Sequence, residues 1–302
     1  MAAVASTPLS DRAGLGITLT LVAWAFFGMV DVSAKWLVVA GLPAIQLAFM
    51  RYFVSFLIST GAGLIGGKGL FSGGTRRDLT LVAIRGLLLV TATVMNFIAL
   101  NFLPLSVTST IINSSPILVT LLAIPLLGER VGLWRMAAVV LGFIGVLIVI
   151  RPFGAAFHWA ALLVLGNAFC ISLFAIMTRM LSGRISPQTM QIYLGALGSL
   201  VLLPFVLPAW TPPATPLQWA VLCGIGALAW FGHELFSRAH QHAPANVLSP
   251  FGYIFILYVS IGGYLLFGTV PDGMTFLGAA VIILSGLIIW WRETGKRRAH
   301  AH

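Results

Sequence analysis

Residues 104–128, PLSVTSTIINSSPILVTLLAIPLLG, return in altered form as residues 244–268, PANVLSPFGYIFILYVSIGGYLLFG. Pro104, Val107 and Gly128 of the first stretch are matched at identical internal spacing by Pro244, Val247 and Gly268 of the second. The register extends both ways. Upstream, Lys35 and Pro43 have partners Arg179 and Pro187, again at identical spacing, and downstream Gly145 is matched by Gly286 after a one-residue insertion. About five apolar spans separate each residue from its mate, and an odd number of crossings turns the second copy upside down relative to the first. Inverted halves recur in secondary transporters, where they rock about a central site.

Composition agrees with a membrane chain. Of 302 residues, 59% are hydrophobic and 8% charged, with a mean hydropathy of +1.03. A soluble protein of this length has no interior large enough to hide that apolar surface. Runs of about 20 apolar residues fit a bilayer core. They are predicted at 15–38, 44–65, 78–100, 105–127, 133–150, 157–180, 187–208, 216–240, 244–267 and 274–292. The expected fold is an all-α polytopic membrane protein, with ten transmembrane helices arranged as two inverted five-helix repeats. Residues 1–14 form an N-terminal tail, 15–150 the first repeat, 157–292 the second, and 293–302 a basic tail.

The net charge of +10 is placed asymmetrically. With an even number of spans both termini share a side, and with them lie Arg12, Lys68, Arg76, Arg77, Arg130, Arg135, Arg179, Arg184, Arg238, Arg292 and the run Lys296-Arg297-Arg298. The opposite loops carry only Arg151. Short basic loops stay in the cytoplasm, which places both termini inside a bacterial-type inner membrane. The charge therefore reads as orientation and attraction to anionic lipid headgroups, not as nucleic-acid binding. The first apolar run is too long for a signal-peptide core and is expected to remain as a span. Cys170 and Cys223 fall inside spans and form no disulfide or zinc pattern, so they read as small core residues. No metal site or cofactor is expected, and His300 and His302 read as part of a solvated tail.

Several spans carry polar residues. An ionisable side chain at mid-bilayer costs roughly 2.5–3.5 kcal/mol on insertion scales, so it needs a partner or a wet cavity. Asp31 and Lys35 are four apart on one helical face and can pair, either to neutralise each other or to form a charge-selective gate. Arg51 and Arg85 each lie about two turns inside their spans; they can snorkel to the interface or face a cavity. Glu234 can pair with Arg238 one turn on, or act beside His233 as a titratable gate for proton coupling. Cations outnumber anions at depth, which suits an anionic or zwitterionic solute. Trp24, Asn96, Asn113, Ser114, Asn167, Gln191, Tyr193, Trp230 and Tyr253 either bridge helices or shape a pocket for it. Expected to bind substrate are Trp24, Lys35, Arg51, Arg85, Asn113, Gln191, Trp230 and Tyr253, with Asp31 and Glu234 at a gate. Spans 5 and 10 carry almost nothing polar, and they are the scaffold offered to lipid or to a second copy in a homodimer. Gly142/Gly145, Gly195/Gly198 and Gly278/Gly286 are spaced for close helix contact. Pro116 and Pro250 interrupt their spans.

No Gly-x-Ser-x-Gly elbow, His-Glu-x-x-His or Walker motif occurs, so neither hydrolytic chemistry nor a built-in ATP drive is encoded in a familiar form. A lipid-modifying membrane enzyme and a passive channel or scaffold are the competing readings. The stretch from Asn96-Phe-Ile-Ala-Leu to Pro116, then Leu127-Gly128-Glu129-Arg130, then Leu141-Gly-Phe-Ile-Gly145-Val resembles the EamA type of the drug/metabolite transporter superfamily. Asp31–Lys35, Arg51, Arg85-Gly86-Leu87, Ala245 to Tyr253 and Phe267-Gly268 to Pro271-Asp272 resemble its subgroup of S-adenosylmethionine uptake carriers and organic-anion relatives. The resemblance covers about residues 15–292. It implies ten helices in two inverted repeats, a cavity formed by spans 1–4 and 6–9, and alternating access. One departure is Gly268-Thr269 where a Gly-Glu turn is common, which leaves Glu129 without an acidic mate.

Overall fold

With no water to satisfy them in hydrocarbon, backbone N–H and C=O groups must pair within their own segment, and apolar runs of this length become helices. The computed structural model describes residues 13–65, 75–127, 132–152, 154–181, 184–243 and 245–299. Gly128, Glu129, Arg130, Pro244 and Lys68 lie outside them, as do residues 1–12 and 300–302, while residues 293–299 of the expected tail continue the last helix. The described residues form α1 (Ala13–Val39), α2 (Ala44–Ile65), α3 (Arg76–Ala99), α4 (Leu105–Ile112), α5 (Ser115–Leu127), α6 (Leu133–Ile150), α7 (Ala160–Leu181), α8 (Pro187–Ala209), α9 (Pro216–His242), α10 (Ala245–Leu248), α11 (Ile254–Phe267) and α12 (Gly273–Ala299). A 3-10 segment, Ser249–Tyr253, joins α10 to α11. Nine helical stretches among the described residues are long and apolar enough to cross a bilayer, and Met136–Ile150 of α6 is a shorter apolar helix.

The helix ends follow local chemistry. Thr75 caps α3 in a reciprocal box with Asp78, and Thr215 caps α9 by accepting from the Gln218 N–H. Both satisfy first-turn donors that have no helical acceptor. Gly41, at φ 93°, turns the chain between α1 and α2, and Gly268, at φ 62°, ends α11 in the left-handed conformation that lacks a steric penalty only for glycine.

Two of the predicted spans are broken rather than bent. Pro116 is the second residue of α5, and Pro250 lies in the 3-10 segment. At a helix start the missing N–H costs little, because first-turn donors lack an intrahelical acceptor anyway. Around the first break, side chains fold back on the backbone. Thr110 donates to the Ser106 carbonyl (2.6 Å), Asn113 to that of Ser109 (2.9 Å) and Ser114 to that of Ile111 (2.7 Å).

In the bundle, α1 packs on α9, α3 on α7, α2 on α8 and α9, α3 on α8, and α6 on α12. Helices in lipid approach closely where small residues remove bulk, and the predicted glycines sit at such places. A Cβ on Gly195 would lie 2.8 Å from Phe56, and one on Gly198 2.5 Å from Tyr52, so α8 fits directly against α2. Gly142, Gly145 and Gly278 bring α6 and α12 together, where Ser285 also donates to the Ala138 carbonyl (2.6 Å). The glycine faces expected on spans 5 and 10 are thus consumed within one chain. Among the apolar side chains that these helices leave exposed are Val140, Phe143, Phe276, Leu277 and Leu284. One core expectation fails: Cys223 is exposed and Cys170 only partly buried.

Candidate functional site

α2 is the source of the site. Arg51 and Ser55 are four apart and share a face, with Tyr52 beside them. Gly195 on α8 and Gly226 on α9 let both neighbours close over that face. Gly226 sits against the Met50 and Arg51 carbonyls and accepts a bond from Ser55 (2.8 Å), so it fixes the turn that carries Arg51. The cavity left between α2, α8 and α9 is lined by Arg51, Tyr52, Ser55, Gln191, Gly195 and His233, among others. Its volume is about 10 Å³, enough for a single water.

Arg51 donates to Tyr52 Oη (3.1 Å) and to Thr93 Oγ1 on α3, and its guanidinium lies 5.1 Å from the Tyr52 ring centre. Tyr52 and Thr93 in turn donate to the Leu89 carbonyl, each at 2.9 Å. Arg51 Nε is buried and has no partner. On α3, Arg85 is 8% exposed. Its Nε donates to Thr178 on α7 (2.6 Å), and its guanidinium lies 4.0 Å from the Phe174 ring centre. Arg85 Nη1 is also buried without a partner. Neither arginine forms an ion pair with a described carboxylate. Stacking and hydroxyl bonds hold these cations in place without neutralising them.

His233 on α9 lines the same cavity as Arg51. Its ring meets Phe27 edge-on at 4.9 Å, its Nε2 is buried without a partner, and the charges of both Arg51 and Arg85 act on it. Asp31 on α1, 7% exposed, accepts from Asn96 on α3 (3.1 Å) and feels the Arg51 charge. Trp24 packs among Phe27, Phe236 and Phe255 at 5.5–5.9 Å, one ring away from His233.

The structure separates the remaining candidates from this group. Asp31 and Lys35 do not pair. Lys35 Nζ instead donates to the carbonyls of Leu100 and Leu103 (the latter at 3.1 Å), where a cation complements the C-terminal end of α3. Glu234 binds Arg238 at 2.8 Å with both side chains well exposed, which is the helix-end pair and not a buried gate. Asn113 is spent on its own helix. Tyr253 turns toward the scaffold, with its hydroxyl against Gly286 of α12. Trp230 packs on exposed Phe231 at 5.0 Å and does not line the cavity. Gln191 does line it. Tyr52, Ser55, Thr93, Phe174 and Thr178 were not singled out from sequence. The stripe Arg51-Tyr52-x-x-Ser55 on an otherwise apolar helix was the available signal. Phe174 and Thr178 gave none, because only the docking of α7 on α3 brings them to Arg85. Among the described residues no group of three or more His, Cys, Asp or Glu side chains is placed to hold a metal.

Apolar helices closed around cations that no described carboxylate neutralises fit the interior of a membrane transport protein. The chain belongs to the EamA-like transporter family, whose profile matches residues 14–151 and, a second time, residues 158–291. It is accordingly a transporter and not an enzyme. A riboflavin transporter of Vibrio cholerae is 35% identical over 185 residues, which cover 61% of this chain and 62% of that protein's length. A pseudopaline exporter of Pseudomonas aeruginosa is 28% identical over 82% of this chain and 86% of its own. An S-adenosylmethionine uptake transporter of Rickettsia prowazekii is 26% identical over 87% and 88%. The fold is shared with a crystal structure at 16% identity and a TM-score of 0.62, covering 91% of this chain and 95% of the other.

Proposed function

We propose that this chain is a secondary transporter that moves a small acidic or zwitterionic organic metabolite across the inner membrane by alternating access, with both termini in the cytoplasm. The observation that carries the proposal is the pair of guanidiniums, buried Arg85 and half-buried Arg51, each with a buried unsatisfied N–H and no described carboxylate partner. A buried donor left unpaired costs about 1–3 kcal/mol, more when charged. An anionic group on the cargo would satisfy Arg51 at the cavity, and would reach Arg85, which does not line it, once the halves part. His233 and Gln191 would bond its polar edges, and Trp24 with Phe27 would pack against its flat or apolar part. Riboflavin, pseudopaline and S-adenosylmethionine, the cargoes named for relatives, all combine polar groups with an organic skeleton.

Ten spans in two inverted repeats are the architecture in this reading. Several observations support it. The family profile matches twice. The caps Thr75/Asp78 and Thr215/Gln218 keep the sequence separation of Pro104 and Pro244. The spans holding Pro116 and Pro250 are both broken, just where that separation predicts. The packing of α1 on α9 mirrors that of α3 on α7 when the halves are exchanged, and α2–α8 and α6–α12 map onto themselves.

A cavity of about 10 Å³ holds no metabolite, so the halves must part to load it. Two contacts between halves are placed to close opposite faces. Gln46 at the start of α2 bonds the N–H and C=O of Thr211, both at 2.9 Å, at one face. Arg184, just before α8, pairs with Asp78 at the start of α3 (3.5 Å) at the other. In this reading Asp31, half-satisfied by Asn96, exchanges a proton during the cycle. The test is thermal stabilisation of the purified protein by riboflavin, S-adenosylmethionine, carboxylates and amino acids, followed by proteoliposome uptake with and without a pH gradient. A saturable shift from an acidic or zwitterionic class, lost in Arg85→Ala protein that still purifies folded, is expected. Stabilisation only by neutral or cationic solutes would overturn the anionic reading. Conductance without saturation would make the protein a channel. Asp31→Asn should retain cargo exchange but lose its response to the pH gradient.

A further inference from the structure

A second cavity, of about 260 Å³, opens at the end of the bundle away from Asp78 and Arg184. It shares no lining residue with the central one. Leu103, Val107 and Val149 give it an apolar wall, and Arg151, His158 and Ser106 are among its polar members. We propose that it is a separate binding site for a small amphiphilic anion, with a phosphate or carboxylate head and an apolar body.

Arg151 is the central residue. It ends α6 at φ 49°, and it is the one non-glycine with positive φ among the described residues. Such backbone is disfavoured for a side-chain-bearing residue and is found preferentially where the side chain has work to do. A glycine would relieve it, as Gly268 does at the end of α11. The Arg151 guanidinium is anchored through Nη2 to Asp272, while its Nε is shielded from solvent and has no partner. Asp272 is itself committed, since it caps α12 by accepting from the Thr275 N–H (2.9 Å). Arg151 therefore lines the cavity with a guanidinium held in place, and no other described carboxylate pairs with it. His158 supplies a second donor. Its Nδ1 accepts the Ala160 N–H (3.2 Å), which places the proton of the neutral ring on Nε2, and stacking on Phe102 at 5.1 Å fixes the ring. Pro104 begins α4 at the same cavity without any side chain capping its first N–H groups, which adds a favourable field for an anion.

The head chemistry fits both a phospholipid headgroup and a free organic acid. Phenyl phosphate and dihexanoyl phosphatidylglycerol, below its micellar concentration, are the two probes, with dihexanoyl phosphatidylcholine as control. Each is titrated against detergent-purified wild type, Arg151→Gly and Asp272→Asn, with Tm as the readout. A saturable rise with phenyl phosphate in wild type identifies an organic-acid site. A rise only with phosphatidylglycerol identifies a lipid headgroup site. In either case Arg151→Gly should lose the rise while its unliganded Tm holds or increases, because glycine suits that backbone. Asp272→Asn should bind more tightly, since it frees the Nη2 edge of Arg151. Arg51→Ala should leave the rise intact, which separates this site from the central one. No rise in wild type with either probe, an undiminished rise in Arg151→Gly, or weaker binding in Asp272→Asn would each overturn the proposal.

Discussion

Arg85 owes its position to a residue on another helix. Its Nε rests on Thr178, and valine there would keep the shape and remove the acceptor. Thr178→Val is expected to destabilise the protein by about 1–3 kcal/mol, the cost of a buried unpaired donor. The measurement is a denaturation midpoint in detergent, and cargo affinity should fall with it. An unchanged midpoint would mean that Arg85 finds another acceptor. Outside the spans, Asp272 is held well below the usual carboxylate range, at about 2, first by Thr275 and then by Arg151. A depressed folded-state value means that its contribution is full above the ordinary 3.8 and is lost as pH falls toward 2. In Tm measured across that window, Asp272→Asn should show a shallower decline than wild type. Equal slopes would show that Arg151 and Thr275 hold the carboxylate no better than solvent does.

Helix pairs convert these residues into a site. α2 and α9 meet at Gly226, where a Cβ would stand 2.6 Å from Val54 and 2.9 Å from the Arg51 carbonyl. The second of these is backbone and cannot swing away. Gly226→Ala should therefore cost about 1–3 kcal/mol by overpacking and shift Arg51 from the cavity. Loss of uptake at near-normal membrane insertion is the expected outcome, with Gly224→Ala as control because nothing lies within 4 Å of its added Cβ. Normal uptake in Gly226→Ala would mean that the helices part there without consequence. At this level the sequence was partly legible. Apolar length gave the helices, and small-residue spacing gave the close contacts of Gly142, Gly145, Gly195, Gly198 and Gly278. The breaks at Asn113–Ser114 and Ser249–Tyr253 were readable only as prolines inside spans, because proline position does not say whether a helix bends or restarts.

Across the molecule, the two closing contacts give a signed prediction for the proposed cycle. Ser55→Cys places a reporter in the central cavity, after Cys170 and Cys223 are replaced by alanine. Gln46→Ala weakens the closure at Thr211 and should raise labelling of the reporter from that face. Asp78→Asn weakens the opposite closure and should lower it. Labelling that moves the same way in both variants would indicate general loosening and not exchange between two states.

The order of residues determined what local physics can decide: apolar length makes membrane helices, small residues set close contacts, and repeated spacing marks two related halves. It also named Arg51, Arg85, Gln191 and Asp31 through the cost of burying polar groups in lipid. Helix docking decided the rest. Whether a polar side chain meets a cavity, a carbonyl or another helix depends on how each helix is rotated against its neighbours, and many local patterns are compatible with several rotations. Lys35 took two carbonyls, Tyr253 took Gly286, and His233 came to line the cavity with Arg51, because the whole bundle fixes those rotations together.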